Sequence, residues 1–252
     1  MAHRGKKHTG RRGNSGRKTS GWLYGRHAVM AALANPDRRA ARLVIAAETQ
    51  DLPTTSCIEP EHLSREALEA LLPPGSVHQG IALQADPLPD WPIEEICDRA
   101  EARETALVVV LDQVTDPHNI GAVLRSAAVF GALSVVIQDR NAPEATGAMA
   151  KAASGALETV PLVRVTNLVR ALDKLKRAGF WCVGLDADAP VALGALQPTA
   201  KRVLILGAEG AGMRRLTKET CDELARIDGR GSISSLNVSN AAAVALYALS
   251  RD

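Results

Sequence analysis

From residue 106 onward, apolar runs of about five residues alternate with stretches in which apolar positions recur every three or four. The runs are Leu107–Leu111, Leu133–Ile137, Glu158–Val163, Phe180–Leu185, Arg202–Leu206 and Glu223–Ile227. Between them lie helical patterns at Asn119–Phe130, Pro143–Ala153, Asn167–Ala178 and Leu216–Cys221. A last helix begins at Asn237, with Val238, Ala241, Ala242, Ala245, Leu246 and Leu249 on one face. Strands that are apolar throughout belong inside a parallel sheet covered on both sides. Strict β–α alternation predicts that α/β architecture.

The region before it reads as a smaller α/β unit. Trp22 begins ordered structure, a helix covers Ala28–Leu33, and Arg42–Ala46 is a strand. Ser64 caps a helix that runs to Leu72, and Val77–Leu83 is a second strand interrupted by Gly80. Asp86–Pro92 holds three prolines and two acids, so it reads as a stiff linker. Ile93–Arg103 is a short helix leading onward. The expected division is a basic tail over 1–21, a first domain over 22–87, a linker over 88–105 and a second domain over 106–252.

Charge changes the picture at the N-terminus. Arg4, Lys6, Lys7, Arg11, Arg12, Arg17 and Lys18 fall in the first twenty residues, with no acid among them. Setting those seven apart from the 30 basic residues leaves 23 against 28 acidic ones. A basic, glycine-rich arm without apolar periodicity, on an otherwise acidic body, is expected to be disordered and to seek a polyanion such as RNA. A solubilising tail is the plainer alternative.

The remaining composition excludes several classes. There is no run of about 18 apolar residues for a membrane span, and no apolar core of a secretory signal. Cys57, Cys97, Cys182 and Cys221 lie far apart, and neither they nor His27, His62, His78 and His118 show metal-ligand spacing. Reduced thiols in a cytoplasmic protein without a metal are the expectation.

Ligands of parallel sheets bind beyond the C-terminal strand ends. Three polar segments leave strands there. In the first, Asp112–Ser126, Asn119 is a natural helix cap and Arg125 lies off the buried stripe. The second, Gly207-Ala208-Glu209-Gly210-Ala211-Gly212-Met213, lets a ligand approach backbone. Its Gly-x-x-Gly-x-Gly spacing is neither the dinucleotide fingerprint nor a P-loop, which disfavours a Rossmann-type nucleotide enzyme. The third, Ile233–Asn240, is the mouth of the last helix, where free N–H groups favour acceptor-rich or anionic ligands. A plain N-cap explains that segment equally well.

Taken in this order, Asp116–Ser126, Gly207–Met213 and Ser234–Ser239 resemble the three signature motifs of the SpoU (TrmH-type) RNA 2′-O-ribose methyltransferases, within the SPOUT superfamily. Tyr24-Gly25-Arg26-His27-Ala28-Val29 and Val77-His78-Gln79-Gly80-Ile81-Ala82 are similar to that family's substrate-binding domain. The likeness runs from about Trp22 to the end. It implies a parallel-sheet domain with a C-terminal trefoil knot, which the sequence pattern alone argues against. It also implies S-adenosylmethionine as methyl donor, RNA as substrate and a homodimer. By motif match Gly207, Ile227 and Leu236 would hold the donor through backbone groups. Asn119, Arg125, Glu209, Ser235 and Asn237 would surround the reacting ribose. One departure stands out: the family commonly carries Ile-Pro-Met where Ile227 is followed here by Asp228-Gly229-Arg230-Gly231.

The implied reaction is methyl transfer to a ribose 2′-hydroxyl of structured RNA, with a guanosine of 23S ribosomal RNA as the first expectation. A transfer RNA target, or a non-catalytic RNA-binding or assembly protein, is the alternative. Arg125, whose guanidinium stays charged, suits an electrostatic and orienting role better than that of a base. Glu209 is the natural residue to hold it in place.

Overall fold

The computed structural model describes residues 21–49, 58–229, 231 and 235–250. The basic tail before Gly21, Cys57, Arg230, Ile233 and Ser234 lie outside the described residues.

The N-terminal unit comprises β1 (Gly21–Tyr24), α1 (Arg26–Ala34), β2 (Ala40–Ala46), β3 (Pro60–Leu63), α2 (Arg65–Glu69) and β4 (Ile81–Ala85). Its sheet has the order β1-β4-β2-β3, with β4 antiparallel to both neighbours and β3 parallel to β2. Ser64 caps α2 as expected, accepting from the Ala67 N–H at 3.2 Å. The strand expected from Val77 starts only at Ile81. Gln79 and Gly80 both have φ in the left-handed region, at 54° and 77°, and their turn breaks extension. The pattern also missed β3, a Pro-Glu-His-Leu edge strand with no buried residue to mark it.

The rest of the chain builds α3 (Ile93–Glu101), β5 (Ala106–Asp112), α4 (Pro117–Val129), β6 (Ser134–Gln138), α5 (Gly147–Ala153), β7 (Leu162–Val165), α6 (Leu168–Arg177), β8 (Trp181–Leu185), β9 (Val191–Ala192), β10 (Lys201–Gly207), α7 (Arg215–Thr220), β11 (Glu223–Arg226) and α8 (Val238–Leu249). Seven parallel strands lie in the order β7-β6-β5-β10-β8-β11-β9. The strand laid down late, β10, sits between β5 and β8.

Period-two alternation within each strand serves two cores. Leu107, Val109 and Leu111 of β5, with Leu204 and Leu206 of β10, join Ile120, Leu124, Met149, Ala242 and Leu246 from α4, α5 and α8. Val108, Val110, Val203 and Ile205 join Ile93, Ile96, Leu168, Leu172 and Leu175 from α3 and α6 on the other face. The C-terminal helix is fixed at its far end. Arg202, 4% exposed, donates through Nη1 to the Leu249 carbonyl at 2.9 Å, a favourable place for a cation.

Two polar joints connect the units. Arg38 donates to Glu158 through Nη2 at 2.6 Å and Nε at 3.2 Å, and to the Asp86 carbonyl at 2.8 Å. Both side chains of that pair are 4% exposed. Glu158 therefore ends a 3₁₀ turn (Ala156–Glu158), and the strand expected from it begins at Leu162. At the second joint Gln79 Oε1 accepts from the Arg26 N–H at 3.1 Å and from Lys151 Nζ. Burial lowers the Lys151 pKa. Among the described residues no helix is long and apolar enough to cross a membrane.

Candidate active site

Parallel strands all point one way, so the loops after β5, β10 and β11 and the start of α8 share one edge of the sheet. The β5 loop begins at Asp112, fully buried and last in its strand, opposite Gly207 of β10. A buried carboxylate needs partners. Arg214 supplies them, donating its backbone N–H to Oδ2 at 2.9 Å and its guanidinium Nε to Oδ1 at 2.7 Å. The β5 and β10 loops are thereby clamped together. The motif reading did not single out this pair, although an acid ending an apolar strand was a visible signal.

Asp116, not Asn119, caps α4. Its carboxylate accepts from the His118 N–H at 3.0 Å, and Pro117 opens the first turn, where its missing N–H costs nothing. Asn119 is thus inside the helix, with its amide free for other work. It donates to Glu209 Oε1 at 3.2 Å and accepts from Asn237 Nδ2 at 3.1 Å.

Glu209 sits in a tight reversal after β10. Ala208 and Gly212 exchange backbone hydrogen bonds at 3.2 and 2.8 Å, with Gly210 and Gly212 at φ 76° and 66°. That reversal lies directly over Gly207. A Cβ there would come 2.1 Å from the Gly212 carbonyl carbon and 2.2 Å from the Met213 nitrogen. No side chain fits at Gly207.

Asn237 is the N-cap of α8, its Oδ1 accepting from the Ser239 N–H at 2.9 Å and the Ser239 hydroxyl at 2.6 Å. The cap oxygen leaves Nδ2 to donate to Glu209 Oε1 at 2.5 Å. The same carboxylate oxygen faces the Val238 N–H at 3.5 Å. The positive end of α8 favours an anion at that spot. Asn119, Glu209 and Asn237, from three distant segments, are therefore one hydrogen-bonded cluster.

The other expected residues do not join its bonds. Arg125 is exposed on α4, a turn and a half beyond Asn119, with no hydrogen bond or ion pair among the described residues. The idea that Glu209 holds it is corrected: the carboxylate is engaged by the two amides. Ser235 and Leu236 are exposed just ahead of Asn237, Leu236 at 49%. Ile227 follows β11, half-buried against the core. In the departing loop Asp228 accepts from Arg226 Nε at 3.0 Å, and Arg226 Nη1 donates to the Ala189 carbonyl at 2.9 Å. Those bonds anchor the start of this loop.

The Cys182 and Cys221 thiols are poor nucleophiles. Burial pushes Cys182 up to about 12 and Cys221 up to about 11. Among the described residues no three His, Cys, Asp or Glu side chains could hold a metal ion.

Comparison with known proteins matches residues 106–247 to the SpoU rRNA methylase family and residues 22–91 to the RNA 2′-O ribose methyltransferase substrate-binding domain. The 23S rRNA (guanosine-2′-O-)-methyltransferase RlmB of Pseudomonas syringae pv. tomato is 40% identical over 236 residues, covering 89% of this chain and 93% of that protein. RlmB of Vibrio cholerae is 40% identical over 234 residues, covering 89% and 94%. Among solved structures, the SpoU methyltransferase AviRb from Streptomyces viridochromogenes superposes with a TM-score of 0.78 at 24% identity, over 93% of this chain and 90% of that one. A second structure of AviRb, in complex with the cofactor AdoMet, gives 0.77 at the same identity, over 93% of this chain and 91% of that one.

Proposed function

The chain belongs to the SpoU rRNA methylase family, and from that membership we propose that it methylates the ribose 2′-hydroxyl of a guanosine in 23S ribosomal RNA. The observation that carries the reading is the Asn119–Glu209–Asn237 cluster, which unites the three family motifs at one point.

S-adenosylmethionine fits the neighbouring edge. The tight reversal that Gly207 admits presents backbone at the end of β10, and Ile227 and Leu236 offer apolar surface on the same edge. Bound there, the cofactor supplies an electrophilic methyl group. What remains for the protein is to orient the ribose oxygen and manage its proton. Orientation alone can lower such a barrier by up to about 7–11 kcal/mol. The amides of Asn119 and Asn237, fixed on Glu209, align the sugar, with the Ser235 hydroxyl at the rim. The Arg125 guanidinium, which keeps its charge, stabilises oxyanion character on the 2′-oxygen. The proton leaves to a phosphate oxygen or to water.

The proposal includes a homodimer. Val129 is 72% exposed, Tyr247 53% and Val244 43%, with Phe130 edge-on to Tyr247 at 6.1 Å between centroids. This apolar patch on α4 and α8 suits a second copy. It also includes the trefoil knot, supported by β10 lying between β5 and β8, and a division into residues 22–87 for RNA binding and 106–252 for methyl transfer. The setting is cytoplasmic, where ribosomal RNA is made.

The test is incubation of unmodified 23S ribosomal RNA with the protein and labelled S-adenosylmethionine, followed by mapping of 2′-O-methyl groups. One labelled guanosine is expected. Label on a base, on transfer RNA only, or nowhere would reject the reading.

A further inference from the structure

On the same edge of the sheet, a cavity of about 340 Å³ opens at the C-terminal ends of β5 and β6. It is within the range of small-ligand sites, about 300–1,000 Å³. Its polar lining is Gln113, Thr115, Gln138, Arg140, Asn141 and Arg214, and it contains no acidic side chain. Gln113 and Thr115 belong to the segment that runs on to Asn119. Arg214 closes the segment that carries Glu209. The cavity thus shares both of its neighbouring loops with the reacting cluster.

Two features mark it as built. The Arg214 guanidinium is locked by buried Asp112, with Nη2 and Nε each 2.7 Å from Oδ1, so one wall is fixed, its charge balanced by that carboxylate. Gln113 has φ 61° and Asn141 has φ 65°. Asparagine visits this left-handed region readily; glutamine seldom does. A strained glutamine where glycine would be relaxed holds an amide at the cavity wall, and such strain gathers at functional sites. Arg140 is exposed and has no hydrogen-bond or ion-pair partner among the described residues.

This lining has the chemistry of a purine reader. Amides donate and accept, as a Watson–Crick edge requires. A free guanidinium fork matches the adjacent O6 and N7 acceptors of guanine, whereas adenine presents a donor at the first of these positions. We propose that the cavity seats the guanine of the nucleotide whose ribose is methylated, with Arg140 as the discriminating fork. The inference rests on the guanosine reading above and adds where the base is recognised.

The experiment compares wild type, Arg140→Ala and Arg140→Lys on RNA carrying guanosine, 7-deazaguanosine or adenosine at the mapped position. Wild type is expected to prefer guanosine over 7-deazaguanosine by about tenfold or more in kcat/KM, since 7-deazaguanosine lacks the N7 acceptor. Arg140→Ala should lose that preference, with S-adenosylmethionine affinity unchanged, whereas Arg140→Lys, whose ammonium also reaches O6 and N7, should keep part of it. Arg140→Lys keeps the charge, so it should retain most RNA affinity and guards against a misfolded alanine variant. Unchanged preference in Arg140→Ala overturns the pocket. So does a uniform loss across all three RNAs with a shallower salt dependence, which marks a phosphate contact. Absence of any methyl transfer by wild type overturns this proposal together with the reading beneath it; active wild type with indifferent variants overturns the pocket alone.

Discussion

The side-chain amide of Asn237 donates to the Glu209 carboxylate at 2.5 Å while its oxygen caps α8. One side chain thus ends a helix and anchors a loop from another strand. The arrangement makes Glu209 the hub, because Asn119 donates to the same oxygen. Glu209→Ala should release both amides. Misplacement of about 1 Å near a reacting centre can cost on the order of 100-fold in rate, so kcat is expected to fall about that far. The cluster is largely solvent-facing, and folding should change by only about 1 kcal/mol. Glu209→Gln keeps an acceptor oxygen and should lose less. Methyl-transfer kinetics beside thermal unfolding decide it; a large drop in melting temperature with proportional activity loss would make Glu209 structural.

Gly207 marks where the loop closes over its own strand. With Gly212 backbone 2.1 Å from a would-be Cβ, Gly207→Ala must push the reversal outward. Overpacking of this kind costs about 1–3 kcal/mol. The expected outcome is a modest fall in melting temperature and a tenfold or greater weakening of S-adenosylmethionine binding by calorimetry. Unchanged affinity would remove Gly207 from the cofactor site.

The Arg38–Glu158 pair joins the two units with both partners 4% exposed. Removing one partner of a buried pair strands the other charge and costs about 3–5 kcal/mol. Glu158→Ala should lower chemical-denaturation stability by that amount and increase proteolysis between the units. Arg38→Met with Glu158→Leu should recover much of the loss. A double variant no better than the single would mean that the pair's own geometry is what holds the units.

Much of this fold could be read from the sequence, and the failures share a cause. The apolar runs at Leu107–Leu111 and Arg202–Leu206 became β5 and β10 because buried strands must be apolar on both faces. β3 was invisible because an exposed edge has no apolar pattern to impose. The Asn119 cap was misassigned because Asp116-Pro117 three residues earlier is an equally good start, and local chemistry alone does not rank the two. The convergence of Asn119, Glu209 and Asn237 came from motif resemblance. Their bonds depend on β10 entering between β5 and β8, which no local pattern encodes. The Asp112–Arg214 clamp is long-range for the same reason.

Burial, by excluding water from the thiolate, holds Cys182 at about 12 and Cys221 at about 11. A folded-state pKa above the unfolded one, about 8.5 for a free thiol, contributes stability that is complete below the unfolded value. That contribution is lost as pH rises toward the folded values, so these thiols should destabilise the fold between about pH 9 and 12. At pH 8 iodoacetamide is expected to modify neither residue without denaturant, as mass spectrometry of tryptic peptides would reveal. Rapid labelling of Cys182 in the native protein would contradict its burial.

Arg125 is the sharpest test of how charge is used here. It is exposed and unpaired among the described residues, so substitution should alter stability by no more than about 0.5 kcal/mol. The role proposed for it rests on contacts made with bound RNA. Loss of a preorganised donor to a developing oxyanion typically costs about 10²–10³-fold in kcat. Arg125→Ala is therefore expected to lower kcat by about 10²–10³-fold with S-adenosylmethionine affinity intact. Arg125→Lys separates two roles, since it keeps a point charge and loses the planar fork. If the guanidinium acts by charge alone, lysine should restore a substantial part of the rate. If a bidentate grip on a phosphate or on the 2′-oxygen matters, lysine should remain near the alanine level. A parallel loss of cofactor binding in Arg125→Ala would instead make the residue part of the scaffold, and the electrostatic role would fall.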